Sequence, residues 1–219
     1  MKIDSKTLNV LKNFSSINPS ILVKEGNVLA TISPNKTIMA KATVPVTFEK
    51  RFAMFDLSKF LSATSMLEDA ELTFGDKSVK ISDKAGSYTS LTYADESIIK
   101  SPPEKEIVLP SVDAEFKFEH SSLVNVTKAL GVLGLPEIAV VGDGTTISVQ
   151  AIDSKNPAGD SFSMSVGTTD KTFRAIFKSE NIKVLSGDYN VKLCSKGISH
   201  WSGPEAEYWI AVEASSTFN

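Results

Sequence analysis

Read from its apolar spacing, the 219-residue chain states one plan of secondary structure twice. In Ser5–Ile17, Leu8, Leu11, Phe14 and Ile17 recur every three positions with Val10 beside them, and Lys6, Asn9, Lys12, Asn13 and Ser16 fall on the other side, which predicts an amphipathic helix. A second helix is predicted from the N-cap Asp56 through Leu57, Phe60, Leu61, Thr64 and Leu67. A third follows Ser121 or Ser122, with Leu123, Val126, Leu130 and Leu133 inward, and stops at Gly134 with Pro136 beyond. A short fourth spans Lys178 to Ser186, with Ser179 as cap, Ile182 and Leu185 inward and Gly187 as the stop. Such a chain has to bury two similar apolar layers, one in each half.

Strand-like runs fill the intervals. Ile21–Val23 and Val28–Ile32 flank Glu25-Gly26-Asn27 and read as a hairpin, and Ser33-Pro34-Asn35-Lys36 turns the chain into Thr37–Ala42. Glu71–Phe74 and Val79–Ser82 flank Gly75-Asp76-Lys77, with Tyr88–Tyr93 next. In the second half Ile138–Val141 and Thr146–Ala151 flank Gly142-Asp143-Gly144, followed by Phe162–Val166, Tyr189–Cys194 and Glu207–Glu213. Helices start near residues 5 and 121, hairpin turns lie near 26 and 143, and the second helix of each set starts near 57 and 179. Equal order at equal spacing is the mark of two copies of one supersecondary plan. The stretch 94–110, with Pro102, Pro103 and Glu104-Lys105-Glu106, reads as the connector, giving an N-terminal domain over 1–105 and a C-terminal domain over 106–219.

Enzymatic chemistry finds little support. His120 and His200 lie far apart in no ligand spacing, and a single Cys, Cys194, supplies neither a disulfide nor a zinc set, so no metal, cofactor or catalytic residue is assigned. His200 reads as an ordinary loop residue. Gly142-Asp143-Gly144-Thr145 lacks the Gly-Lys-Ser/Thr of a phosphate loop and sits between strands, so it reads as a tight hairpin. Carboxylates assembled only in three dimensions stay open as a hydrolase reading. Met1-Lys2-Ile3-Asp4 opens without an apolar signal core and no run approaches the roughly 18 apolar residues of a membrane span, so a soluble intracellular protein with no membrane partner is expected.

Charge is the informative feature. A net charge of −3 argues at first against a nucleic-acid partner, because phosphate contacts need a basic surface. Yet the four helical windows hold Lys6, Lys12, Lys59, Lys128, Lys178 and Lys183 against the single acid Glu180, a net of +5 that leaves −8 for the rest of the chain. Ordinary solvated helix faces mix signs, whereas here the outward companions are Ser, Asn and Thr. Gathered on one face, such helices make a positive strip suited to a phosphate backbone held without base readout.

The order of parts resembles the DNA polymerase sliding clamp, specifically the processivity factor of T-even-type bacteriophages. Leu11-Lys12-Asn13-Phe14-Ser15-Ser16-Ile17-Asn18 looks like that clamp's first helix, Gly187-Asp188-Tyr189-Asn190-Val191-Lys192-Leu193 like the strand after its last helix, and Ala211-Val212-Glu213-Ala214-Ser215-Ser216-Thr217 like its C-terminus. The resemblance implies an α+β fold of two similar clamp domains, antiparallel sheets outside and two helices per domain inside, assembling as a ring of three subunits around double-stranded DNA. It implies a non-enzymatic tether for the replicative DNA polymerase, opened by an ATP-dependent clamp loader, in the cytoplasm of an infected host cell, with transcription factors as further candidate partners.

Carried onto this chain, the same six lysines would face DNA. The head-to-tail subunit interface would use Tyr88, Leu91 and Tyr93 on one edge and Phe162, Met164 and Val166 on the other. A partner pocket would draw on Ile98, Ile99, Ile210 and Val212. The chain has only two Arg, Arg51 and Arg174, and hydrated lysine ammonium groups suit a sliding contact better than bidentate guanidinium forks. The competing reading is a β-rich structural or adaptor protein of a virion, with no DNA role.

Overall fold

Asp4 starts the first element in a computed structural model of the chain, which describes every residue from Met1 to Asn219. Its carboxylate accepts from Thr7 N–H at 3.0 Å and Thr7 Oγ1 at 2.6 Å, capping α1 (Ser5–Ile17). Burial would raise the Asp4 carboxyl, but the Thr7 hydroxyl and backbone donors outweigh it and hold the group below its ordinary range. Thr7, Val10, Leu11, Phe14 and Ile17 are buried along one stripe, while Lys6, Asn9, Lys12 and Ser16 stay in water. The first unit, Met1–Glu104, continues with β1 (Ile21–Val23), β2 (Gly26–Ile32), β3 (Ile38–Phe48), β4 (Phe52–Met54), α2 (Leu57–Ser65), β5 (Glu71–Phe74), β6 (Ser78–Ser82) and β7 (Tyr88–Thr92).

Asp56 caps α2 by accepting from Lys59 N–H at 2.8 Å, and the helix buries Leu57, Phe60 and Thr64 beside α1. β2 and β3 form the expected hairpin, and β5, β6 and β7 form a meander. The hairpin expected from β1 and β2 is not made, for β1 pairs with β4 instead. Gly26 at φ 106° and the register break between Gly26 and Val28 bend the start of β2 out of a regular ladder with β1. Met1 is tied to β5 in both directions, its amine donating to Leu72 O and its carbonyl accepting from Leu72 N–H. Phe48, Phe52, Phe74 and Tyr93 pack against one another with ring centroids 4.9–6.3 Å apart.

The second unit, Lys105–Asn219, runs β8 (Ala114–Phe118), α3 (His120–Leu133), β9 (Glu137–Asp143), β10 (Thr146–Ile152), β11 (Phe162–Thr168), β12 (Thr172–Lys178), β13 (Tyr189–Cys194), β14 (Ile198–Ser202), β15 (Glu207–Ala211) and β16 (Thr217–Phe218). Strands β11, β10, β9, β12 and β16 lie in that order in one sheet, and β8, β13, β14 and β15 run side by side in another, every pair antiparallel. The plan repeats that of the first unit. Helix α3 corresponds to α1, the β9/β12 pair to β1/β4, the β13–β14–β15 meander to β5–β6–β7, and the β8/β13 ladder to the Met1–Leu72 link. Gly134, at φ 65°, closes α3 in the left-handed conformation that a residue with Cβ resists.

One expectation is overturned: the fourth helix does not form. Ser179–Asn181 makes a single 3-10 turn, and Ile182–Asp188 continues without regular structure into β13. Residues 55–70 give the first unit sixteen positions between β4 and β5, whereas residues 179–188 give the second unit ten between β12 and β13. Ten residues leave no room for two helical turns and a return, and Ile182 and Val184 add β-branched crowding. The chain instead buries Leu185, whose N–H donates to Tyr208 Oη at 3.0 Å and whose carbonyl accepts from Tyr189 Oη at 2.7 Å. Burial pushes the Tyr208 hydroxyl up to about 12 and raises that of Tyr189 still further.

Candidate nucleic-acid interface and sheet edges

The three α-helices contain four lysines, Lys6, Lys12, Lys59 and Lys128, and no carboxylate. Each lies on the exposed side of its helix, among Asn9 and Ser16 on α1, Ser58 and Ser62 on α2, and Ser121 and Asn125 on α3. None makes an ion pair, while Lys2, Lys24, Lys50, Arg51, Lys84, Lys117 and Lys192 all sit within 4.0 Å of a carboxylate. Those seven are partly neutralised by their carboxylate neighbours, whereas the helical four share their charge with no ion-pair partner. Lys178 and Lys183 are placed differently from expectation. Lys178 is exposed at the end of β12 and Lys183 is half-buried in the irregular segment, so neither stands on a helix.

α3 gets its N-terminal cap from far along the chain. Glu119 makes no side-chain cap, and Asp188 Oδ1 accepts from His120 N–H at 2.9 Å while Asp188 Oδ2 meets Lys117 Nζ at 2.9 Å. The His120 donor foremost, then Lys117, holds the Asp188 carboxyl below its ordinary range. Helix-start rules applied to local sequence look only at neighbouring residues and so point to Ser121 or Ser122.

β7 and β11 are edge strands within their sheets, β7 pairing with β6 and β11 with β10. Both alternate half-buried and exposed residues. Leu91 lies across from buried Val79 and Met164 across from buried Val149, so both face the core side. Tyr88, expected to act with Leu91, projects to the opposite face, where Lys80 Nζ stands 4.3 Å above its ring. Of the expected pocket residues only Ile98 is exposed, at 60%, on a short turn capped by Asp95; Ile99, Ile210 and Val212 are buried. His200 is not a loop residue. It sits in β14, 2.9 Å from Glu207 Oε2 and stacked on Trp209 with centroids 4.8 Å apart, a cross-strand pair that holds the sheet surface. No group of three or more His, Cys, Asp or Glu is arranged to hold a metal ion, and no helix is long and apolar enough to cross a membrane.

Two units of one topology, with lysine-bearing helices on antiparallel sheets, two in the first unit and one in the second, define the class of DNA clamp folds. Solved structures with this fold include the PCNA of Thermococcus kodakaraensis, with a TM-score of 0.70, 15% identity and coverage of 96% of this chain and 98% of that one. They also include the A. fulgidus PCNA bound to the C-terminal region of FEN-1, with a TM-score of 0.70, 14% identity and 96% of each chain covered. At the level of sequence, residues 2–100 match the family model for the DNA polymerase processivity factor, and residues 113–214 match that for the gp45 sliding clamp, C-terminal. The sliding clamp of Vibrio phage KVP40 is 34% identical over 98% of this chain and 100% of its own length. That of Enterobacteria phage T4 is 31% identical over 99% of each. The chain belongs to the phage sliding-clamp family, non-enzymatic processivity factors of DNA polymerases.

Proposed function

We propose that three copies of this chain close head to tail into a ring around double-stranded DNA, opened by an ATP-dependent clamp loader, in the cytoplasm of an infected host cell. The observation that carries this reading is the gathering of like charge: Lys6, Lys12, Lys59 and Lys128 stand without ion pairs on helices that hold no carboxylate, while seven basic residues elsewhere are tied to carboxylates. Lys178, at the end of β12, and Lys183, on the irregular segment that follows, join the same DNA-facing set as supplementary charges. Weak, hydrated lysine contacts attract the phosphate backbone without fixing a register, so the ring slides. Topology then does the tethering, and the polymerase needs no tight grip on DNA. The edges β7 and β11, each with one unpaired side, supply the head-to-tail junction. Exposed Ile98 on the connector is the first contact for a partner's short apolar peptide, shared by polymerase, loader and transcription factors in turn.

The decisive experiment changes Lys6, Lys12, Lys128 and Lys183 together to Glu and measures polymerase processivity on primed DNA, with the circular dichroism melt as a check on folding. Stimulation should disappear while the melt is kept. Unaltered stimulation would reject the DNA-facing assignment. On linear DNA with free ends the loaded protein should be lost, and on end-blocked DNA it should persist; equal retention on both contradicts encirclement.

A further inference from the structure

The second unit closes its sheet where the first leaves it divided, and we infer that the line between β1 and β2 is a flexible seam in the first unit, held shut by the side chain of Asn18. In the second unit the corresponding strands, β9 and β10, are zipped by six consecutive pairs, from Ile147 with Gly142 to Ile152 with Glu137. β1 and β2 lie side by side without a ladder, β1 in a two-stranded sheet with β4 and β2 in the sheet of β3. Alternation along the strands shows which backbone groups are left over. Ser33 N–H donates to Ile38 O, so Thr31 and Leu29 continue that ladder toward β3, and Val28, Ala30 and Ile32 turn their N–H and C=O groups to the other side. Ala53 O accepts from Ala94 N–H, so Leu22, opposite Ala53, turns its groups away from β4. No strand pairing takes up these groups, and a line in a sheet without its ladder opens at lower cost than one that has it.

Asn18 spans the seam at one end. The residue is buried, and its Nδ2 donates to Ile32 O at 2.8 Å, on β2, and to Lys100 O at 3.5 Å, on the connector. Its Oδ1 accepts from Ser20 N–H at 2.9 Å and Ser20 Oγ at 3.0 Å, just before β1, and its backbone N–H donates to Phe14 O as the C-cap of α1. One amide is thus spent on both sides of the seam. Its orientation is set by its partners, since an oxygen in place of Nδ2 would face two carbonyls. The opposite end has no such clip: Gly26 at φ 106° and the register break before Val28 carry β2 out of regular pairing, and Val28 is exposed. Pinned at Ile32 and loose at Val28, the seam lets β1 and β4 move against β2 and β3, while the β9/β10 ladder keeps the second unit stiff. This property belongs to the single chain and holds whether or not copies assemble.

Thiol labelling on the full-length chain tests the seam, with Cys194→Ala removing the native thiol. Val23 and Leu29 are buried on β1 and β2, as Val140 and Val149 are on β9 and β10, so a single cysteine at any of the four is reached only when its strands part. Under conditions where circular dichroism melts show every variant folded, Val23→Cys and Leu29→Cys should react with a small maleimide roughly ten-fold faster than Val140→Cys and Val149→Cys. Equal rates at the four positions overturn the seam. Asn18→Asp keeps the acceptor for Ser20 and removes the donor to Ile32 O, so it should speed labelling at Val23→Cys and Leu29→Cys several-fold and leave the other two unchanged. No change at the seam positions, or the same acceleration at all four, overturns the role of Asn18. Where a cysteine variant does not fold, hydrogen exchange of the parent and Asn18→Asp chains over residues 21–32 and 138–152 makes the same comparison. Equal protection of the two stretches, or protection of 21–32 unmoved by Asn18→Asp, would refute the inference.

Discussion

The two units share a topology and differ in what fills one corner of it. Between β4 and β5 the first unit has room for α2, capped by Asp56 and carrying Lys59 outward; between β12 and β13 the second has a single turn and a segment pinned by two tyrosine hydroxyls at Leu185. Most strand pairings recur in both halves because each ladder satisfies the backbone groups of its neighbours as a set, the exception being β9 with β10, which has no counterpart between β1 and β2. A connection between strands only has to close the distance, so its conformation follows its length. The aromatic cores differ in the same spirit: phenylalanines dominate in the first unit, whereas Trp201 packs against Phe118, Phe177 and Tyr189 in the second.

Both tryptophans, Trp201 and Trp209, belong to the second unit, so their fluorescence reports on that unit while a Phe cluster holds the first. The largest effect is expected at the aromatic centre of the second unit. Trp201→Ala removes a fully buried side chain and should cost about 3–5 kcal/mol in urea unfolding followed by circular dichroism. Loss of the first unit's signal at the same midpoint would show that the two cores are coupled; a separate midpoint would show that each holds alone.

Next comes the irregular corner. Tyr208→Phe leaves the buried Leu185 N–H without its acceptor and should destabilise by about 1–3 kcal/mol, with no counterpart in the first unit. The helix in the corresponding place depends on its cap, so Asp56→Ala should cost about 1 kcal/mol. A Tyr208→Phe variant as stable as the parent would mean that the short connection is held by packing alone.

The smallest effect is one of pH. Asp188 has its carboxyl depressed in the folded state, so its contribution is full above the ordinary aspartate pKa of about 3.9 and is lost as pH falls through the folded value. Asp188→Asn should therefore lower the thermal midpoint at pH 7 and converge with the parent at strongly acidic pH. Equal differences at both pH values would show that the α3 cap acts through shape and not through charge.

Much of this was legible from residue spacing. α1 was bounded at Ser5 and Ile17 because its apolar period is unbroken and its ends are marked. β13 was likewise bounded at Tyr189 and Cys194. Five strands carry no signal of their own in the sequence: β4 and β16 are only three and two residues long, and Glu115, Lys117, Arg174 and His200 interrupt the apolar runs of β8, β12 and β14, so that only the neighbouring strands make sense of them. The helical period of Ile182 and Leu185 was real but too short to outweigh the ten-residue connection. Among site residues, Lys6, Lys12, Lys59 and Lys128 are legible because the helical windows that hold them contain no acid beyond the caps Asp4 and Asp56, a property of composition along the chain. Tyr88 and Leu91 share the edge strand β7 yet project to opposite faces, because residue type marks an edge and only parity along the strand marks a face.

Sequence alone determined the twofold plan, the acid-free lysine helices and the family, because periodicity, charge and local caps are properties of neighbours in the chain. Tertiary structure decided which strands pair, that Asp188 caps α3, that Leu185 replaces a helix, and which basic residues keep their charge unshared. Each of these depends on groups far apart in sequence that meet only when backbone hydrogen bonds and buried side chains have been matched across the fold.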